Sequence, residues 1–199
     1  EETKGVSDLM KAANRDTKST QDRLLKRSIV DIPNLRDACN AGRKGNQCVL
    51  ILAEGLSAIA SAEDGLEEIG SDNFGLLPLK GKILNTKKAK LETVLKNTEI
   101  QALVTVLGLQ YDCPYDSPKH FAALRYKHVW LMMDQDVDGS HIVALFYNWL
   151  HTYFAPLIKA IPDYVCRFWT PLIRVVPRPS APSSYVLHEF PSKVEYEAW

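Results

Sequence analysis

The feature that most constrains this chain is a buried-strand pattern that occurs twice and ends each time in acidic residues. Residues 48–53 read CVLILA and are followed by Glu54 and Gly55. Residues 128–133 read HVWLMM and are followed by DQDVDG. Apolar runs of this length indicate strands that are covered on both faces. A helix-like segment follows each run, so the two units predict an α/β fold with a central, mainly parallel sheet flanked by helices.

The remaining elements are predicted from turn residues and apolar periodicity. Pro78 makes the strand-like segment 74–79 an edge strand. Ser57 can cap the helix after the first strand, and an apolar-rich helix is expected from Ser140 to Ile158. The other expected elements are an early helix, helices at 86–96 and 98–107, a loop at 111–127, strands within 164–176 and 185–190, a break at 177–184 and a helix at 192–199.

Composition narrows the class of protein. The 199 residues are 46% hydrophobic and 24% charged, without an apolar run long enough to span a membrane. The four cysteines form no CxxC pair, which favours reduced thiols over a disulfide framework or a zinc site. A net charge of zero argues weakly against nucleic acid as a partner. However, residues 80–90 hold five lysines and no acid, so phosphate contacts could be local.

The acidic residues predict a site for a divalent metal ion. Glu54 follows the first strand, and Asp134, Asp136 and Asp138 follow the second. Ligands of open α/β sheets bind at the carboxyl ends of the strands, where the strand order reverses. Clustered carboxylates repel one another unless a cation neutralises them, and oxygen ligands favour Mg²⁺ or Mn²⁺. This donor set is typical of phosphoryl-transfer chemistry.

Three other interpretations of the DxDxDG sequence stay open at this point. An EF-hand calcium loop that starts at Asp134 needs glutamate at its twelfth position, where this chain has Leu145. A phosphatase with an aspartate nucleophile would use Asp134 but leaves Glu54 without a role. A solvated acidic turn without a ligand is the third interpretation.

Three motifs in order resemble the Toprim region of eukaryotic-type type IIA DNA topoisomerases. They are EGLSA at 54–58, PLKGKILN at 78–85 and DQDVDGSHI at 134–142. The similarity covers most of the chain from about residue 20 onward. It implies a Rossmann-like Toprim fold at 46–162, an N-terminal linker with a helical segment at 1–45, and C-terminal strands with the start of a winged-helix domain at 163–199.

The resemblance also implies roles for individual residues. Glu54 is expected to be a metal ligand and general acid or base, and Asp134 and Asp136 are expected to be metal ligands, with Asp138 supporting the site. The residues expected to contact DNA are Lys80, Lys82 and Asn85.

The implied activity is that of an ATP-hydrolysing type II DNA topoisomerase, for which this segment alone is incomplete. Its cofactor would be Mg²⁺, with Mn²⁺ or Ca²⁺ as substitutes, and ATP would bind in a domain that is absent here. A tyrosine from elsewhere would attack the DNA, because Tyr126 matches a structural position of the family. The expected partners are double-stranded DNA and a second copy of the full-length protein, without a membrane. The expected location is the nucleus, or alternatively the mitochondrion.

Two positions depart from the family pattern. Leu56 replaces the usual aspartate, and Lys80 replaces the usual arginine, which removes the bidentate geometry of a guanidinium. Leu56 supports one alternative, a catalytically inert Toprim interaction module. Another Toprim enzyme, such as a primase or nuclease, is a further alternative, against which the PLKGKILN segment argues.

Overall fold

A computed structural model of the chain describes residues 29, 32–55, 57–176 and 187–199. The expected early helix and the break at 177–184 lie outside the described residues, as does Leu56. No helix in the described part of the chain is long and apolar enough to cross a membrane.

A four-stranded parallel sheet forms the centre of the molecule, in the order β2-β1-β3-β4. The predicted parallel α/β architecture is therefore confirmed. The strands are β1 at Val49–Glu54, β2 at Phe74–Leu79, β3 at His128–Met132 and β4 at Val165–Arg167. β4 lies beyond residue 162, within the segment 163–199 that is expected to contain the C-terminal strands.

Helices cover both faces of the sheet. The side chains of β1 point alternately to the two faces, and on each face they belong to a different apolar cluster. Leu50 and Leu52 belong to the larger cluster, and Ile51 and Ala53 belong to the smaller one. The helices are α1 at Ser57–Ile69, α2 at Leu91–Lys96, α3 at Thr98–Leu107, α4 at Pro118–Ala122, α5 at Val137–Ala160 and α6 at Lys193–Ala198. The smaller cluster contains residues of α1, and the larger one contains residues of α3 and α5.

The edge position predicted for the strand with Pro78 is confirmed, since β2 is the outer strand next to β1. Part of its free edge is paired by Arg36, which exchanges two backbone hydrogen bonds with Leu76 at 2.9 and 2.8 Å. Edge strands are commonly protected in this way against pairing with other chains.

Several element boundaries differ from the sequence predictions. Of the helix expected at 86–96, only the part that forms α2 is helical. The residues before it form a turn, in which the backbone N–H groups of Lys88 and Ala89 donate to the carbonyl of Asn85, and Lys90 is extended. The loop expected at 111–127 contains α4. The helix expected from Ser140 begins at Val137.

Two short strands follow the parallel sheet, as the sequence predicted. They are β5 at Ile173–Val175 and β6 at His188–Phe190, and they pair antiparallel as a separate two-stranded sheet. α6 follows β6.

Candidate metal centre

The sheet brings the two acidic segments together at one edge. β1 and β3 are neighbours, and Ala53 pairs in register with Met132. Glu54 follows Ala53, and Asp134 comes two residues after Met132. The strand order reverses at this pair, because β2 lies on the other side of β1. The cluster therefore occupies the switch point at which open α/β sheets bind ligands.

Glu54 is half-buried at the end of β1, and its Oε2 atom is buried without a hydrogen-bond partner. Burial raises the pKa of Glu54, and the negative charges of Asp134 and Asp136 raise it further. A backbone hydrogen bond from Asp134 opposes the shift. The chain leaves the site at once, because Gly55 has a φ of 73° that favours glycine.

The acidic loop is folded tightly against the start of α5. The side chain of Asp136 caps this helix, with Oδ1 accepting a hydrogen bond from the backbone N–H of Gly139 at 2.7 Å. A Cβ atom on Gly139 would lie 2.2 Å from the carbonyl oxygen of Asp134. Only glycine fits at this contact, so the cap and the close approach together fix the path of the loop.

Lys82 reaches the acidic loop from the segment after β2. Its Nζ atom lies 2.8 Å from Oδ1 of Asp138, in an ion pair that solvent partly reaches. The hydrogen bond and charge of Lys82 lower the pKa of Asp138, and the same contact raises the pKa of Lys82. The charges of Glu54 and Asp136 also raise the pKa of Lys82, so this amine interacts with carboxylates of both acidic segments.

The residues present fit a metal ion held by few protein ligands. Among the residues that the structure describes, no three histidine, cysteine or acidic side chains are gathered into a metal-binding group. Mg²⁺ usually takes only one or two carboxylates and keeps several waters, so such a group is not required. The buried, unpaired Oε2 of Glu54 is the atom that a cation would satisfy.

The other two residues expected to contact DNA lie in different surroundings. The backbone N–H of Lys80 donates to Oε1 of Glu99 at 2.9 Å, and the residue is exposed. Asn85 is half-buried beside Asn148, with 3.5 Å between the two side-chain amides. That position is about three turns along α5 from the acidic loop. The structure therefore brings Lys82 to the cluster but not Asn85.

Sequence reasoning missed the contacts that join the acidic loop to the end of β4. Nε2 of Gln135 donates to the carbonyl of Phe168 at 3.2 Å, and Nη2 of Arg167 donates to Oε1 of Gln135 at 3.2 Å. The sequence predicts strands within 164–176 but no role for Arg167, because no sequence pattern links β4 to the loop after β3.

Tyr126 is buried, as expected for a structural residue. Its hydroxyl donates to Oδ1 of Asp37 at 2.5 Å and accepts from the backbone N–H of Ala38 at 2.9 Å. Burial raises the pKa of this phenol far above its ordinary value. A Cβ atom on Gly75 would lie 2.2 Å from the hydroxyl, so the ring packs directly on β2.

Comparison with models of known protein families shows the family to which the chain belongs. The family model described as "Toprim domain" matches residues 49–168, from β1 to the end of β4. The chain belongs to the Toprim domain family. The matched segment contains both acidic strand ends and Arg167.

Curated relatives with similar sequences carry the name DNA topoisomerase 2. The protein from Candida glabrata is 42% identical over 175 residues, which are 87% of this chain and 12% of that protein. The protein from Saccharomyces cerevisiae is 40% identical over 175 residues, with the same coverage of 87% and 12%. The chain thus spans about an eighth of the length of these relatives.

A solved structure has the same fold. It is titled as the DNA-binding, cleavage and re-ligation domain of Plasmodium falciparum topoisomerase II. The TM-score is 0.71 at 38% identity, and the match covers 84% of this chain and 22% of the other. The recognition of a topoisomerase II Toprim region, made from three ordered motifs, is therefore confirmed.

Proposed function

We propose that this chain forms the Mg²⁺-binding part of the DNA cleavage and religation core of an ATP-dependent type II DNA topoisomerase. The observation that carries the proposal is Glu54, which ends a central strand with a buried, unpaired oxygen and with the aspartates of the acidic loop around it. The names of the relatives supply the class of reaction.

The remaining functional parts are proposed to lie elsewhere in the full-length protein. These parts are the nucleophilic tyrosine, the ATP-binding domain and the second subunit of a homodimer. The substrate is double-stranded DNA, and the proposed location is the nucleus, with the mitochondrion as the alternative. The match covers 12% of the Candida glabrata protein and 22% of the solved Plasmodium falciparum chain, so most of the length of each lies outside it and has room for such parts.

Glu54 is proposed to hold and transfer a proton. Its raised pKa brings it closer to the pH at which general acid–base catalysis is most effective. When the tyrosine attacks the phosphodiester, its phenolic proton passes to water, the P–O bond to the ribose 3′-oxygen breaks, and Glu54 donates a proton to that oxygen. In religation the same carboxylate takes the proton back as the 3′-oxygen attacks the phosphotyrosine, and the released tyrosine oxygen regains a proton from water.

Glu54, Asp134 and Asp136 would hold Mg²⁺, or Mn²⁺ or Ca²⁺ in its place, with one or two of the carboxylates binding directly and the rest acting through its waters. The bound ion would stabilise negative charge on the scissile phosphate. Asp138 supports this set through its ion pair with Lys82. Lys80, Lys82 and Asn85 are proposed to contact DNA beside the cleavage position, and the exposed side chains of Lys80 and Lys82 support this role.

Glu54→Gln in the full-length protein tests the proposal. We expect DNA cleavage to fall by roughly 10²–10⁴-fold, which is the usual contribution of general acid–base catalysis. The matched control is Glu68→Gln, the same change at an exposed position of α1. Cleavage and religation at the wild-type rate would contradict the role of Glu54.

Calorimetry with Mg²⁺ separates this proposal from an inert interaction module. The wild-type protein is expected to bind Mg²⁺ more tightly than an Asp134→Asn/Asp136→Asn double variant. Equal binding would favour the inert module. Relaxation of supercoiled plasmid with ATP separates the proposal from a primase or nuclease, because neither of these enzymes changes the linking number of a plasmid that it leaves closed.

A further inference from the structure

Arg167 lies on the side of the acidic loop that is opposite to Lys82. It is the last residue of β4 and pairs in register with Leu131 of β3. Leu131 precedes Asp134 by three residues. Because β3 and β4 are parallel, both strands end at the same edge of the sheet, and Arg167 emerges beside the acidic loop.

Hydrogen bonds fix the guanidinium group of Arg167 against this loop. Its Nη2 atom donates to Oε1 of Gln135 at 3.2 Å and to Oγ of Ser140 at 3.4 Å. Gln135 is itself anchored, because its Nε2 atom donates to the carbonyl of Phe168. The orientation of Arg167 is therefore set in advance, which lowers the entropic cost of binding a ligand.

Among the residues that the structure describes, no neighbour neutralises the positive charge of Arg167. Lys82 is ion-paired with Asp138. In contrast, no carboxylate of the described residues forms an ion pair with the exposed Arg167. Its Nε and Nη1 atoms make no hydrogen bond with described residues, so these donors remain available beside four acidic residues that repel a phosphate.

We propose that Arg167 contacts a phosphate of the DNA backbone on the β4 side of the acidic loop. This inference rests on the proposed function. A phosphate that approaches the loop meets the negative charge of Asp134 and Asp136, and a fixed guanidinium beside it offsets part of that repulsion. Arginine suits this task because it stays charged and offers several donors in a rigid plane.

The salt dependence of DNA binding by the full-length protein tests the contact. A labelled duplex is titrated without divalent ions at several KCl concentrations, and log K is plotted against log [KCl]. For Arg167→Gln the slope should become shallower by about 0.9 for each Arg167 that contacts DNA. Arg167→Lys keeps the charge and should keep the slope.

Two further variants control for charge and for position. Arg174→Gln removes an exposed arginine that is already ion-paired with Glu189 at 2.7 Å on the two-stranded sheet, so its slope should equal that of the wild type. Gln135→Ala removes a hydrogen bond that orients the guanidinium of Arg167 but retains its charge. The affinity for DNA should therefore fall several-fold, while the slope of log K against log [KCl] stays unchanged. Thermal unfolding of each variant confirms that it is folded.

The outcomes distinguish this inference from the proposed function. If the wild-type protein binds and cleaves DNA but Arg167→Gln has the wild-type slope, the inference is overturned and the proposed function stands. If Arg174→Gln changes the slope as much as Arg167→Gln, the effect is one of net charge and the inference is again overturned. If the wild-type protein neither binds nor cleaves DNA, both fail.

Discussion

Glu54 and Asp138 belong to one acidic cluster, yet their surroundings shift their pKa values in opposite directions. Glu54 ends a central strand, where burial and the neighbouring aspartates raise its pKa. Asp138 lies in the first turn of α5 with its side chain 61% exposed, and the hydrogen bond from Lys82 lowers its pKa. Carboxylates whose pKa values are pushed apart commonly take different roles in one site.

The comparison shows that burial and ion pairing, rather than residue type, shift the pKa values of the two carboxylates apart. A carboxylate at a buried strand end can hold a proton. Alternatively, a bound cation can neutralise its repulsion with the neighbouring carboxylates. A carboxylate that solvent reaches and a lysine holds remains ionised, and it serves as a fixed countercharge. The first role fits Glu54, and the second fits the supporting role that the sequence predicts for Asp138.

The largest expected effect is the loss of DNA cleavage in the Glu54→Gln variant of the full-length protein, with Asp138→Asn as the variant for comparison. The loss for Glu54→Gln should exceed that for Asp138→Asn by at least about tenfold, because general acid–base groups contribute roughly 10²–10⁴-fold. Single-turnover cleavage at saturating Mg²⁺ measures both. Equal losses would mean that the two carboxylates share one role.

Gly139→Ala tests whether the loop path matters as much as the carboxylates. The added Cβ atom would lie 2.2 Å from the carbonyl oxygen of Asp134, so the loop must move. A displacement of about 1 Å can cost on the order of 10²-fold in rate. The control is Gly65→Ala in α1, where a Cβ atom meets nothing within 4 Å. If cleavage by both variants matches the wild type, the loop tolerates displacement and this prediction is wrong.

Lys82→Met should change Mg²⁺ binding and DNA cleavage in opposite directions. Loss of the cation leaves Asp138 unpaired and makes the cluster more negative, so Mg²⁺ should bind several-fold more tightly. Cleavage should fall, because the proposed DNA contact is lost. Calorimetry and a cleavage assay measure the two effects, and Lys88→Met, an exposed lysine of the same basic segment, is the control. Weaker Mg²⁺ binding would show that Lys82 organises the cluster instead.

The smallest expected effect is the release of protons when Mg²⁺ binds. A metal ligand must be deprotonated, so affinity should fall as the pH is lowered through the raised pKa of Glu54, by at most about tenfold per pH unit. Asp138, with its lowered pKa, stays ionised over that range and releases no proton. Calorimetry in buffers with different ionisation enthalpies counts the protons.

Glu54→Gln should abolish this proton release, whereas Asp138→Asn should retain it. Retained release in Glu54→Gln would assign the titrating proton to another residue of the cluster. In that case Glu54 would not be the carboxylate that loses a proton when Mg²⁺ binds.

The strands and their acidic ends were predictable because their signals are local. The apolar runs gave β1 and β3 to within one residue at each end, and Pro78 indicated the edge position of β2. Helix starts were less predictable. α5 starts at Val137 because the side chain of Asp136 caps the helix there. Aspartate side chains can also form hydrogen bonds that favour a turn or loop, so the sequence does not reveal which of these conformations is adopted.

The sequence by itself determined that two buried strands end in carboxylates, and three ordered motifs indicated the family. Only the tertiary structure decided which carboxylate is buried and which is paired. Lys82 and Asp138 are separated by more than fifty residues, and Gln135 and Arg167 by more than thirty, yet each pair is in direct contact. The physical reason is that the strand order β2-β1-β3-β4 gathers distant segments at one edge of the sheet, where burial raises the pKa of Glu54 and ion pairing lowers that of Asp138.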